Sequence, residues 1–176
     1  MMQSVKVVVT GPFNAGKTTF IKSVSEITVL STERQVSDIG NEGSGETTVA
    51  MDFGRITVSD DVVLYLFGTP GQERFSFMWE TLSEGMLGFV LLVDAMAADS
   101  LADARSMIEF FRQMSDVPFV VAANKVAADD LDALRALRAD LGIDDSVPLL
   151  PVDARDRDSV KAVLLGLLYR ILDSMG

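Results

Sequence analysis

The chain has 176 residues, 48% of them hydrophobic, with 15 basic against 26 acidic side chains, a formal net charge of −11 and no cysteine. That length and apolar fraction suit one globular domain over residues 1–176, and the acidic balance repels nucleic acid and anionic lipid. No disulfide, thiolate metal site or acceptor for prenyl or palmitoyl chains is available, position 2 is not glycine, and no run reaches the roughly 18 apolar residues of a membrane span; the expectation is a cytoplasmic protein with no covalent lipid anchor and no nucleic-acid partner.

In chain order, an apolar β-rich run at 5–9 predicts the first strand, and "GPFNAGKTTF" (11–20) follows it into a helix. Residues 27–47 then run about 20 positions with Gly40, Gly43 and Gly45 and little periodicity, which reads as a long functional or mobile loop. Strands are predicted at 49–58 and 62–67, joined by Ser59-Asp60-Asp61 as an antiparallel hairpin, and at 89–93, 119–122 and 148–151. Between the later strands, Leu101, Ala104, Met107, Ile108 and Phe111 recur at helical spacing. The same holds for Leu131, Leu134, Leu137 and Leu141, and for Val160, Val163, Leu164, Leu167 and Ile171. The alternation predicts an α/β P-loop NTPase fold: one three-layer domain, a six-stranded mostly parallel sheet with one antiparallel edge strand, and about five helices.

Gly11, Gly16, Lys17 and Thr18 match G-x-x-x-x-G-K-[ST] between a predicted strand and a predicted helix, the context a phosphate-binding loop requires. Glycines let backbone N–H groups turn toward phosphates, Lys17 offers a point charge, and the helix N-terminus adds partial positive charge. Within this loop Asn14, Ala15 and Thr19 are further nucleotide-binding candidates, and the Thr18 hydroxyl suits Mg²⁺.

"VLYLFGTPGQERFSFMW" (63–79) resembles the second switch of Ras-like small GTPases, which reads D-T-A-G-Q-E-R-F after an apolar strand. The resemblance extends to "TTVAMDF" (47–53), "VVAANK" (120–125) and "PVDAR" (151–155), and is closest to bacterial Ras-like GTPases of the MglA and actinobacterial conservon types. It implies a GTP-binding and GTP-hydrolysing switch, with switch I at about 27–48 and switch II at about 68–80, cycling between GTP and GDP with Mg²⁺. It further implies that Gln72 orients the attacking water, that the Gly71 N–H meets the γ-phosphate, and that Thr48 joins Thr18 at the metal. Asn124, Lys125, Asp153, Ala154 and Arg155 fall on the base-recognition segments, with the Ala154 N–H toward guanine O6. Arg34 is either a cis arginine for the transition state or a solvated loop cation. A Roadblock-type activating partner is implied, touching the region of Phe75, Phe77 and Trp79; these aromatics either form that patch or pack beneath the switch helix.

Three positions depart from the family. Gly68 stands where the Mg²⁺-linked aspartate belongs, leaving Asp52 and Asp94 to compensate or to serve as strand-end residues. Pro70 replaces a small residue and either stiffens the hinge before Gly71 or shapes a turn. Ala127 stands where N-K-x-D has its guanine-reading aspartate; Asp129 and Asp130 either present a carboxylate to the base or simply start a helix. The alternative these departures keep open is a nucleotide-binding scaffold, a pseudo-GTPase with relaxed base specificity and little turnover. A metabolic kinase is disfavoured by the lack of an arginine-rich lid.

Overall fold

The computed structural model describes residues 2–37, 46–71 and 76–176, with the backbone alone at 30–37 and 46–50. Its strands are β1 (Gln3–Thr10), β2 (Leu30–Ser37), β3 (Glu46–Ser59), β4 (Val62–Gly68), β5 (Gly88–Asp94), β6 (Phe119–Asn124) and β7 (Leu149–Val152). The helices are α1 (Lys17–Val24), α2 (Ser76–Ser83), α3 (Leu101–Met114), α4 (Leu131–Leu141) and α5 (Arg157–Met175), with a short 3₁₀ turn at Ala98–Ser100 before α3. The sheet order is β2-β3-β4-β1-β5-β6-β7. Its pairings among β4, β1, β5, β6 and β7 are parallel, and β3 alone runs against the rest.

Period-two alternation in β1 distributes its valines between two cores. Val5, Val7 and Val9 face a layer built from Phe20, Ile21 and Val24 of α1 and Val160, Val163, Leu164, Leu167 and Ile171 of α5. Val8 faces the other layer, where Trp79 of α2 joins Ala104, Met107, Ile108 and Phe111 of α3 and Leu137 and Leu141 of α4. β5 and β6, covered on both faces, are buried at every position, as expected for central parallel strands. The helical stripes read from the sequence are therefore core faces, and the expected three-layer P-loop-type α/β class holds.

The outer edge of the sheet extends beyond the six strands expected. β2 lies in the segment read as an irregular loop and adds a seventh strand outside β3. β3 is 14 residues long and β4 covers only its second half, from Asp52 to Ser59. Its first half pairs with β2 from Leu30↔Phe53 to Ser37↔Glu46. The polar run Glu33-Arg34-Gln35 hid this strand, since edge strands carry charges that blunt further pairing.

All the parallel strands end on one side, so the segments after β1, β4, β5, β6 and β7 converge there. That is where open α/β sheets place their ligands.

Candidate functional site

The segment after β1 is shaped by three residues in uncommon backbone conformations: Gly11 at φ 154°, Asn14 at 67° and Gly16 at 106°. Side chains would not fit at the two glycines. A Cβ on Gly11 would lie 2.1 Å from the Leu92 carbonyl oxygen, and one on Gly16 would lie 2.9 Å from Asn124 Nδ2. The turn is closed by the Ala15 N–H donating to the Pro12 carbonyl at 3.1 Å. Gly16 caps α1 without a side-chain hydrogen bond, so the first N–H groups of that helix stay available to an anion.

Lys17 folds back over the loop, its Nζ donating to the carbonyls of Gly11 at 2.6 Å and Pro12 at 2.9 Å. Burial pulls its ammonium down to about 8, a shift that the nearby Asp52 carboxylate partly offsets. Thr18, beside it, donates its hydroxyl proton to Asp52 Oδ2 at 2.5 Å. Asp52 stands on β3 directly opposite Gly68 of β4. A hydroxyl and a carboxylate at the mouth of a glycine-rich loop are the hard oxygen donors Mg²⁺ takes alongside phosphate oxygens. Among the described residues no group of three or more acidic, histidine or cysteine side chains could hold a metal alone.

The segment after β4 lies against this loop. A Cβ on Gly71 would sit 2.5 Å from Phe13 N and 2.8 Å from the Pro12 carbonyl carbon. Thr69 anchors the approach, donating its N–H to the Val9 carbonyl at 3.0 Å and its hydroxyl to Thr10 Oγ1 at 2.8 Å. Trp79 holds the other side, its indole N–H donating to the Pro70 carbonyl at 2.8 Å.

Trp79 corrects one part of the proposed partner patch. It is 3% exposed and packs against Phe110 and Phe111 at ring distances of 5.3 and 6.1 Å. The ring is taken up by this packing while its N–H is satisfied at Pro70, so of the two readings it takes the core one. Phe77 stays 55% exposed. Gln72 and Phe75 lie outside the described residues. Arg34 and Thr48 are placed by backbone only, Arg34 opposite Val49 and Thr48 opposite Gln35 in the β2–β3 ladder.

Further along the same edge, a cleft of about 670 Å³ joins the loop residues Asn14, Ala15, Gly16 and Thr19 to Asn124, Lys125, Asp153, Ala154 and Arg155. Asn124 braces it from below, donating Nδ2–H to the Ala15 carbonyl and accepting the Ala154 N–H on Oδ1, each at 3.2 Å. The Ala154 N–H, expected to face a base, is thus engaged by Asn124. Lys125, with a left-handed φ of 66°, is held by an ion pair from Nζ to the buried Asp94 at 2.8 Å. Asp94 also accepts the Met96 N–H, so it behaves as a strand-end residue and not as a stand-in at the metal. Asp130 accepts the Ala133 N–H and caps α4, which is the helix-start role. The cleft also takes in Val126, Ala128 and Ser159, small or apolar residues that carried no signal in the sequence. Asp153, the one carboxylate lining it among the described residues, accepts Nε, Nη2 and the backbone N–H of Arg155, and these bonds hold it below the usual carboxylate range.

Comparison with known proteins agrees with this geometry at a coarse level. Residues 30–173 match the family model described as "Conserved hypothetical ATP binding protein". An uncharacterized protein of Methanocaldococcus jannaschii is 30% identical over 128 residues, 73% of this chain and 74% of that protein. ADP-ribosylation factor-like protein 8c of Arabidopsis thaliana is 24% identical over 169 residues, 92% of this chain and 85% of that protein. Together these support a general relation to P-loop NTPases of the Ras superfamily. No helix among the described residues is long and apolar enough to cross a membrane.

Proposed function

Since the chain belongs to the family described as conserved hypothetical ATP binding proteins and is a nucleotide-binding domain of the P-loop type, we propose that residues 1–176 act as one G domain that binds GTP and GDP with Mg²⁺ and hydrolyses GTP as a molecular switch. The observation that carries this reading is the contact of Gly71 with the Pro12–Phe13 backbone, beside Lys17 and the Thr18–Asp52 pair. A phosphate seated on the loop meets Lys17, the free N–H groups of α1 and the Gly71 N–H together, so a terminal phosphate has a sensor beside it.

Thr18 and Thr48 are the metal-side hydroxyls in this reading, and Mg²⁺ supplies charge neutralisation between the phosphates. Gln72 orients the attacking water, Lys17 steadies the outer phosphates, and Arg34 is the candidate cis cation. Loss of the terminal phosphate frees the segments around 27–48 and 68–80 from a shared anchor. Turnover is slow without an activating partner, and a Roadblock-type protein docking around Phe75 and Phe77 is the expected one.

A second reading, a nucleotide-binding scaffold with relaxed base choice, is favoured by one feature. The only carboxylate lining the cleft among the described residues is already bonded to Arg155, and the Ala127 side chain offers no acceptor to guanine N1–H. Fluorescent GTP, GDP, ATP and XTP analogues titrated into nucleotide-free protein separate the two. A guanine preference of about tenfold or more, equivalent to about 1.4 kcal/mol, together with single-turnover hydrolysis lost in Gln72→Leu, upholds the switch. Equal binding of purines with negligible turnover in both proteins upholds the scaffold.

A further inference from the structure

The carboxylate missing at Gly68 has a neighbour in the adjacent strand. We propose that Asp52 is the positioning residue for Mg²⁺, replacing from β3 the aspartate that the Gly68 position of β4 lacks; this rests on the nucleotide-site reading above. Three observations converge on it. Asp52 and Gly68 are direct partners across the β3–β4 ladder, so their side-chain positions share one side of the sheet end. An ideal Cβ on Gly68 would lie 3.3 Å from Asp52 Cβ and 3.6 Å from Asp52 Oδ2, so the carboxylate of Asp52 lies beside the position an acid on Gly68 would grow from. Asp52 Oδ2 also accepts the Thr18 hydroxyl proton at 2.5 Å.

That last bond fixes what Asp52 can do. With its proton directed at Asp52, the Thr18 oxygen keeps its lone pairs for a cation, and a carboxylate beside it can accept protons from cation-bound waters. Mg²⁺ dehydrates reluctantly and keeps several waters, so a carboxylate that orients them matters even without touching the metal. A Cβ on Gly68 would also meet Ile21 Cδ1 at 3.0 Å, so a second acid there would crowd both neighbours while Asp52 is in place.

The test loads the full chain with methylanthraniloyl-GDP or methylanthraniloyl-ADP and follows release while free Mg²⁺ is varied with a chelator. Asp52→Asn is expected to move the Mg²⁺ midpoint up by about ten- to a hundredfold, a larger change than the one in metal-free binding. In the double variant Asp52→Ala/Gly68→Asp the acid returns from the other strand, and the midpoint comes back to within about threefold of wild type. A midpoint in Asp52→Asn that matches wild type, equal loss of metal-free binding, or a folded double variant without recovery each overturns the assignment. If the wild-type chain retains neither nucleotide in Mg²⁺, the nucleotide-site reading itself fails; retention with an indifferent Asp52 sinks only this inference.

Discussion

Replacing Gly71 by alanine puts a methyl carbon where backbone already stands. The added Cβ would lie 2.5 Å from Phe13 N, 2.7 Å from Phe13 Cα and 2.8 Å from the Pro12 carbonyl carbon, and all three atoms belong to the main chain of the phosphate loop. Gly71 is not among the glycines with positive φ, so the penalty is contact and not backbone strain. Reaching the 3.4 Å at which ordinary contact begins requires the two segments to part by about 0.9 Å. The loop is pinned by Gly11 against Leu92, so the Pro70 side yields, and the 2.8 Å bond from Trp79 to the Pro70 carbonyl is stretched. Overpacking of this kind costs about 1–3 kcal/mol, and loss of the indole bond adds about 1 kcal/mol. Trp79 is the only tryptophan in the chain, which makes the assay direct. Urea unfolding followed by circular dichroism is expected to show a lower midpoint, and native tryptophan emission a red shift as the indole meets water. On the proposed function, the preference for triphosphate over diphosphate also falls. An unchanged midpoint with unchanged emission refutes the claim that Gly71 is wedged against the loop.

Lys17 gives a pH signature whose sign follows from its depressed ionisation. Its value of about 8 in the folded chain lies below the ordinary 10.5, so between these the unfolded chain holds a proton that the folded chain has released. Relative to Lys17→Met, stability therefore rises with pH from about 8 to 10.5, while phosphate affinity falls as pH passes about 8; paired urea melts and nucleotide titrations check both. Ala127→Asp supplies the acceptor missing between Val126 and Ala128, two residues that line the cleft, and is expected to raise guanine over adenine preference about tenfold in competition titrations. Phe111→Ala empties a fully buried position between the rings of Phe89 and Trp79 and is expected to cost about 3–5 kcal/mol in urea unfolding, with the Trp79 emission changed.

The central architecture was legible because period carries it. The valines of β1 and the continuous apolar runs of β5 and β6 announce parallel strands buried on two faces, and the stripes of α3, α4 and α5 announce the layers that cover them. The phosphate loop was legible because Gly11 and Gly16 are demanded by backbone approaches that leave no space for a side chain. β2 was not, since a strand at a sheet's edge needs no apolar face and its partner, the first half of β3, is distant from it only in pattern, not in chain position. Nor could sequence alone choose between Asp52 and Asp94, because the choice depends on register. One lies across the ladder from Gly68 and against Thr18; the other is taken up by Lys125 and Met96. Trp79 was equally ambiguous, since its burial depends on packing against Phe110 and Phe111 of α3, with Pro70 there to accept its N–H.

The two carboxylates absent from the family pattern have different fates, and that asymmetry bears on what the site selects. At the phosphate end the empty place on Gly68 is filled from the neighbouring strand by Asp52, bonded to Thr18 and in register with the gap. At the base end three acids among the described residues are already engaged: Asp130 is spent on capping α4, Asp153 on Arg155 and Asp94 on Lys125. A buried acceptor matched to guanine discriminates by orders of magnitude because the wrong base leaves it unpaired, and a cleft without one discriminates only by shape. On the proposed function, therefore, selection is concentrated where the protein has kept its phosphate donors and metal-side oxygens, at Lys17 and Gly71 and at Thr18 and Asp52. Such a site distinguishes triphosphate from diphosphate more sharply than one purine from another, and wild-type affinities for the four nucleotides GTP, GDP, ATP and ADP are expected to differ more down the phosphate axis than across the base axis.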